Sequence, residues 1–149
     1  MPPAQSSEAQ EILHRNITAL NDRDMQAYLA NQHPDVRLTV PGGATLHGRE
    51  QVRANTQALW DAFPDGRLEF GARVLADDSA AVEVIFTGTH TGPLPTPSGD
   101  VLSTGKAVRT TSVSLLTFAD GLVRSERVFG DQLDLLTQLG LMPGSSPGA

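Results

Sequence analysis

Helix-like stretches come first in this chain and strand-like stretches come last. That segregation narrows the fold more than any other feature. From Ala9 onward, Ile12, Leu13, Ile17, Leu20, Met25 and Tyr28 recur near helical spacing, with Ser6 or Ser7 as the cap. Asn21-Asp22-Arg23-Asp24 interrupts the stripe, which predicts a bend or a two-part helix, and His33-Pro34 ends it. A short strand is predicted over 36–40, closed by Pro41-Gly42-Gly43. A second helix over 48–63 carries Val52, Thr56, Leu59, Trp60 and Phe63 on one side and stops at Pro64-Asp65-Gly66. Beyond it the chain reads as strands over 67–76, 80–90, 105–118 and 122–129, with turns at Asp77-Asp78-Ser79 and Asp120-Gly121 and a loop through Gly99. A short helix is predicted over 131–140. Helices followed by an antiparallel meander form an α+β pattern, with one sheet face covered by helices. A curved sheet wrapped on helices makes a cone with a pocket inside it.

A chain of 149 residues is expected to form one domain, here over 8–141, with flexible polar or Pro/Gly/Ser-rich tails at 1–7 and 142–149. It contains no cysteine, which excludes disulfides, thiolate metal sites and a Cys nucleophile. Eleven basic and 17 acidic side chains give a net charge of −6 without a basic cluster. That balance argues against nucleic-acid binding and against docking on an anionic membrane. No apolar run approaches the roughly 18 residues of a spanning helix, and no basic stretch followed by an apolar core opens the chain, so a cytoplasmic location is expected. The four His show no close pairing and no accompanying carboxylate cluster, so no metal is expected.

Asp131 stands where the last strand hands over to the terminal helix. At that junction a carboxylate can be aimed into a sheet-lined cavity. It can also cap the helix, with Asp134 at capping-box-like spacing. As an acid or base it would need apolar walls that raise its pKa. Trp60, Phe63, Phe86, Leu116 and Phe129 are the wall candidates. By the period of two, Arg127, Phe129 and Asp131 share a face unless Gly130 introduces a bulge. On that face Arg127 would hold Asp131 ionised or steady a developing negative charge on a bound molecule. His90, before Thr91-Gly92-Pro93, either fixes that loop or donates to a substrate oxygen at the pocket mouth. His47, before the second helix, is a surface residue or a minor part of the pocket wall.

Three strings resemble the SnoaL-like polyketide cyclases, a branch of the NTF2-like superfamily. They are Phe63-Pro64-Asp65, the run Gly88-Thr89-His90-Thr91-Gly92-Pro93-Leu94 followed by 104–108, and Asp120-Gly121 with Asp131 and Gln138-Leu139-Gly140. Their order and spacing match along 12–140. The resemblance implies a cone-shaped α+β barrel, usually a homodimer, and a cofactor-independent enzyme that closes rings on polyketide esters by aldol condensation. It implies an aspartate acid/base at the position of Asp131. Members often carry Trp four residues before that aspartate, where this chain has Arg127, which opens the pocket to an acidic substrate.

The same cone also hosts epoxide hydrolysis, isomerisation, dehydration and hydroxylation, and non-catalytic ligand binding. Epoxide hydrolysis in it uses an Asp-Arg-Asp arrangement, of which Arg127 and Asp131 supply two parts. For a homodimer, the outer faces of the strands over 80–90 and 105–118 are the candidate contact. The Thr and Ser residues of 110–114 suggest that this contact is rather polar.

Overall fold

The computed structural model describes residues 3–96 and 98–141. The tail expected over 142–149 lies outside them, as do Met1 and Pro2. The first helix is two-part, as its interrupted stripe predicts: α1 (Pro3–Asn21) turns through Arg23 into α2 (Met25–Ala30). Asp24 caps α2 by accepting from the Ala27 N–H at 3.0 Å. α1 starts several residues before the expected Ser6 or Ser7 cap.

The remaining elements are β1 (Gln32–Thr39), β2 (Thr45–His47), α3 (Gly48–Ala62), β3 (Arg67–Leu75), β4 (Ser79–Thr89), β5 (Leu94–Thr96), β6 (Gly99–Val101), β7 (Ala107–Ala119), β8 (Leu122–Gly130) and α4 (Gln132–Gln138). A six-stranded sheet runs β2-β1-β8-β7-β4-β3, and β5 and β6 form a separate hairpin inside the expected loop. The meander β3-β4-β7-β8 is antiparallel, but β1 joins β8 in parallel. A parallel neighbour needs a long crossover rather than a turn signal, so local patterns do not announce it. β1 begins before His33-Pro34, with a register shift between Gln32 and Arg37 that accommodates the proline.

Two buried clusters hold the layers together. Ile12, Leu13, Tyr28, Val36, Val82 and Val123 join α1 and α2 to the inner face of the sheet. Ala62, Phe63, Leu94, Val108 and Leu139 join the end of α3 to the hairpin and α4. Fully burying each larger side chain contributes about 1.5–3 kcal/mol.

At the second cluster, backbone approaches backbone. The N–H groups of Thr91 and Gly92 both donate to the Ala62 carbonyl, at 3.1 Å each. A Cβ on Gly92 would stand 2.0 Å from the Asp61 carbonyl oxygen, so only glycine fits there.

Candidate functional site

α1, α2 and α3 do not seal the inner face of the sheet. A cavity of about 810 Å³ lies between them, with α4 and the β5–β6 hairpin completing its wall. Most of the wall is aliphatic and aromatic, including Leu20, Phe70, Val84, Leu116 and Val128. Trp60, Phe63 and Phe86, three of the wall candidates, border it, with the Phe63 and Phe86 rings packed edge to face at 5.1 Å.

Among the described residues, the wall carries one carboxylate, Glu126, and one cation, Arg23. Glu126 reaches the interior because β8 bulges. Phe118 pairs with Val123 and Thr117 with Ser125, so β8 spends two residues where β7 spends one. Beyond the bulge the inward positions are Glu126 and Val128, opposite Leu116 and Ser114. The Ser114 hydroxyl donates to Glu126 Oε2 at 2.8 Å. Burial pushes the Glu126 carboxyl above the ordinary carboxylate range, and the Ser114 hydrogen bond offsets only part of that.

Tyr28 borders the same space from α2. Burial, and then the charge of Glu126, raise its phenol further above its usual range, against a smaller opposing effect of the Thr56 hydroxyl. Its hydroxyl is therefore protonated at any working pH. Thr56 donates to the Val52 carbonyl at 2.8 Å, one turn back on α3. Asn16 closes this end, accepting from Gln32 Nε2 at 2.8 Å and Asn31 Nδ2 at 3.1 Å.

Other expected residues fall elsewhere. Asp131 is exposed and caps α4, accepting from the Asp134 N–H at 2.9 Å, and it is not part of the cavity wall. Arg127 and Phe129 do share a face, but it is the outer one. The Arg127 guanidinium lies 5.1 Å from the Phe129 ring, which is half exposed. Gly130 pairs in register with Ser112, so no bulge turns that face inward. His47 is exposed at the start of α3, where its N–H donates to Gln51 Oε1 at 2.8 Å.

His90 is fully buried against Phe63, outside the cavity wall. Its Nδ1 accepts from the Thr104 N–H at 3.2 Å, and its carbonyl accepts from Ser103 Oγ and the Gly105 N–H. It fixes the loop before β7. Thr110, Ser112 and Ser114 line the cavity, so the polar face of β7 is the inner one. Val113 and Leu115 stand on the outer face. Among the described residues, no group of three His, Cys, Asp or Glu side chains is placed to hold a metal ion, and no helix is long and apolar enough to cross a membrane.

A family model of SnoaL-like polyketide cyclases matches residues 10–139. The chain belongs to the SnoaL-like polyketide cyclase family. Its cone is the NTF2-like α+β fold seen in solved relatives. A structure described as a SnoaL-like polyketide cyclase from Jannaschia sp. CCS1 superposes with a TM-score of 0.81 at 24% identity, over 93% of this chain and 95% of that one. TsrD from Streptomyces laurentii does so with 0.79 at 24% identity, over 91% and 97%. TerC, co-crystallised with polyporic acid, gives 0.71 at 16% identity, over 89% and 98%. At these identities the likeness establishes the fold. No curated protein sequence matches the chain.

Proposed function

We propose that this SnoaL-like protein is a cofactor-independent enzyme that closes a ring on a polyketide-like ester by intramolecular aldol addition, with Glu126 as acid and base. The observation that carries this is Glu126, the one carboxylate that the described residues place on the cavity wall, with its pKa raised by burial. A general base works best when its pKa lies near the working pH, and desolvation moves Glu126 that way.

In the proposed reaction the Glu126 carboxylate takes a proton from the carbon α to a carbonyl. The C–H electron pair becomes an enolate, and the neutral Tyr28 hydroxyl donates to its oxygen. The enolate carbon attacks a second carbonyl of the same molecule. Protonated Glu126 returns the proton to the new alkoxide, so substrate and product have equal mass. The apolar walls fold the substrate so that its two reacting carbons meet, which makes the step unimolecular. Isomerisation shares the first proton transfer and returns the proton to a different carbon. Epoxide hydrolysis of the Asp-Arg-Asp type is less well supported, because the wall offers one carboxylate among its described residues.

The test is mass-neutral conversion of an anthraquinone-type methyl ester bearing a β-keto side chain. Wild type is expected to cyclise it, and Glu126→Gln to lose about 10²–10⁴-fold in rate. Binding without conversion by wild type would mean a ligand-binding cone instead.

We also propose a homodimer through the outer sheet face, where Val113, Leu115 and Phe129 are 38%, 39% and 50% exposed side by side on β7 and β8. Phe129→Asp should shift the mass measured by light scattering to that of one chain. A wild type already monomeric at high concentration would refute the dimer.

A further inference from the structure

The cavity wall has one cation among its described residues, and it is not the Arg127 that the strand pattern suggested. Arg23 stands at the turn between α1 and α2 with φ of 56°, a left-handed backbone that costs any residue with a Cβ. Its guanidinium lies 5.4 Å from the Trp60 ring on the wall. All three of its hydrogen bonds leave from Nη2, to the carbonyls of Phe63 at 3.0 Å, Pro64 at 2.7 Å and Gly66 at 3.1 Å. These carbonyls are neutral, and among the described residues no carboxylate lies within salt-bridge distance of Arg23. Asp65 feels its charge, but the Asp65 oxygens are taken by the Thr89 N–H at 2.7 Å and the Thr89 hydroxyl at 2.8 Å. Nε and Nη1 are left without a protein partner among the described residues, on a cation anchored at the cavity wall through its third nitrogen.

We infer that Arg23 is a specificity-determining anion anchor, so that the ligand of this cavity is a flat aromatic molecule carrying an anionic oxygen. The Arg23 Nε and Nη1 groups donate to that oxygen, and the ring lies along Trp60, Phe63 and Phe86. A planar, permanently charged guanidinium suits this role better than a lysine. This deepens the enzymatic reading above and rests on it for what Glu126 then does. Anion recognition itself is read by binding alone, with no turnover.

The anionic oxygen can belong to a carboxylate or to an ionised enol, and the probes separate the two. Calorimetry would compare 2-naphthoate, 2-hydroxy-1,4-naphthoquinone above its pKa, and neutral methyl 2-naphthoate. Wild type is expected to bind at least one of the two anions about tenfold or more tightly than the neutral ester. Which anion is preferred identifies the source. Arg23→Gln should abolish that preference while moving the ester by less than about twofold, and Arg23→Lys should restore part of it. Glu126→Gln should leave the preference in place, so loss of turnover and loss of anion recognition are separately readable. Because Arg23 also ties down the turn after α3, wild type is measured at rising salt as well. The anion advantage should shrink while ester binding stays constant. Equal affinity for all three probes, no binding of any, or a parallel loss of anion and ester in Arg23→Gln would overturn the inference.

Discussion

Around Phe63 most polar groups pair with one another, with the buried His90 Nε2 an exception; around Glu126 they face a cavity. In the first region Asp65 holds both the N–H and the hydroxyl of Thr89, His90 holds Thr104, and the Gln138 side-chain amide bonds both the N–H and the carbonyl of Arg109 at 2.8 Å each. Much of the sequence that resembles the family converges here. The second region draws Tyr28, Thr56, Ser114 and Glu126 from four separate elements, and no short string contains two of them. The recognisable strings build the joint that closes the cone, whereas the groups to which we assign the proposed chemistry are dispersed. A motif can thus identify a family through its scaffold and be silent about its chemistry.

The contrast can be tested by damaging each region separately. Tyr28→Phe removes one hydroxyl from the cavity without removing its ring. It should lower the rate of ring closure by about 10²-fold, the usual cost of one oxyanion donor, with little change in melting temperature. An unchanged rate would take Tyr28 out of the mechanism.

Gly92→Ala strikes the joint. The forced Cβ meets the Asp61 carbonyl, and the expected cost is about 1–3 kcal/mol of stability, seen as a lower urea midpoint. Activity per folded molecule should persist. A midpoint equal to wild type would show that α3 and the loop yield without strain.

The smallest effect is a pH dependence. Folding raises the Glu126 pKa, so the native state holds its proton to higher pH than the unfolded chain does. The associated stability is fully present below the unfolded value, about 4.3 for a glutamate, and is lost as pH rises through the raised folded value. Glu126→Gln should therefore be more stable than wild type at pH 7, and the gap should close on acidification below about pH 4.3. Denaturant midpoints at the two pH values decide it. A gap that widens in acid would reverse the assignment.

Much of the fold was readable because its signals are local. The interrupted stripe at Asn21–Asp24, the Asp120-Gly121 turn and the helix cap at Asp131 all resolve within a few residues. Asp131 caps α4, one of its two readings, and its other reading, as the acid of the pocket, is not where the geometry puts a carboxylate. Glu126 was not readable because strict alternation from the buried Val123 points Ser125, Arg127 and Phe129 inward. A single extra residue at the bulge reverses every later position. The alternating Thr and Ser residues of β7 fit an outer polar face or a cavity wall equally well, because a strand can keep polar groups in either place. The β1–β8 pairing joins segments far apart in sequence, beyond the reach of any turn or periodicity signal.

The most direct measurement places Asp131→Asn beside Glu126→Gln in single-turnover assays with the β-keto anthraquinone methyl ester. Both substitutions preserve shape and remove a titratable carboxyl. Asp131→Asn is predicted to cyclise the ester at close to the wild-type rate, while Glu126→Gln does not. Loss of cyclisation in Asp131→Asn with full activity in Glu126→Gln would contradict the assignment of the chemistry to Glu126.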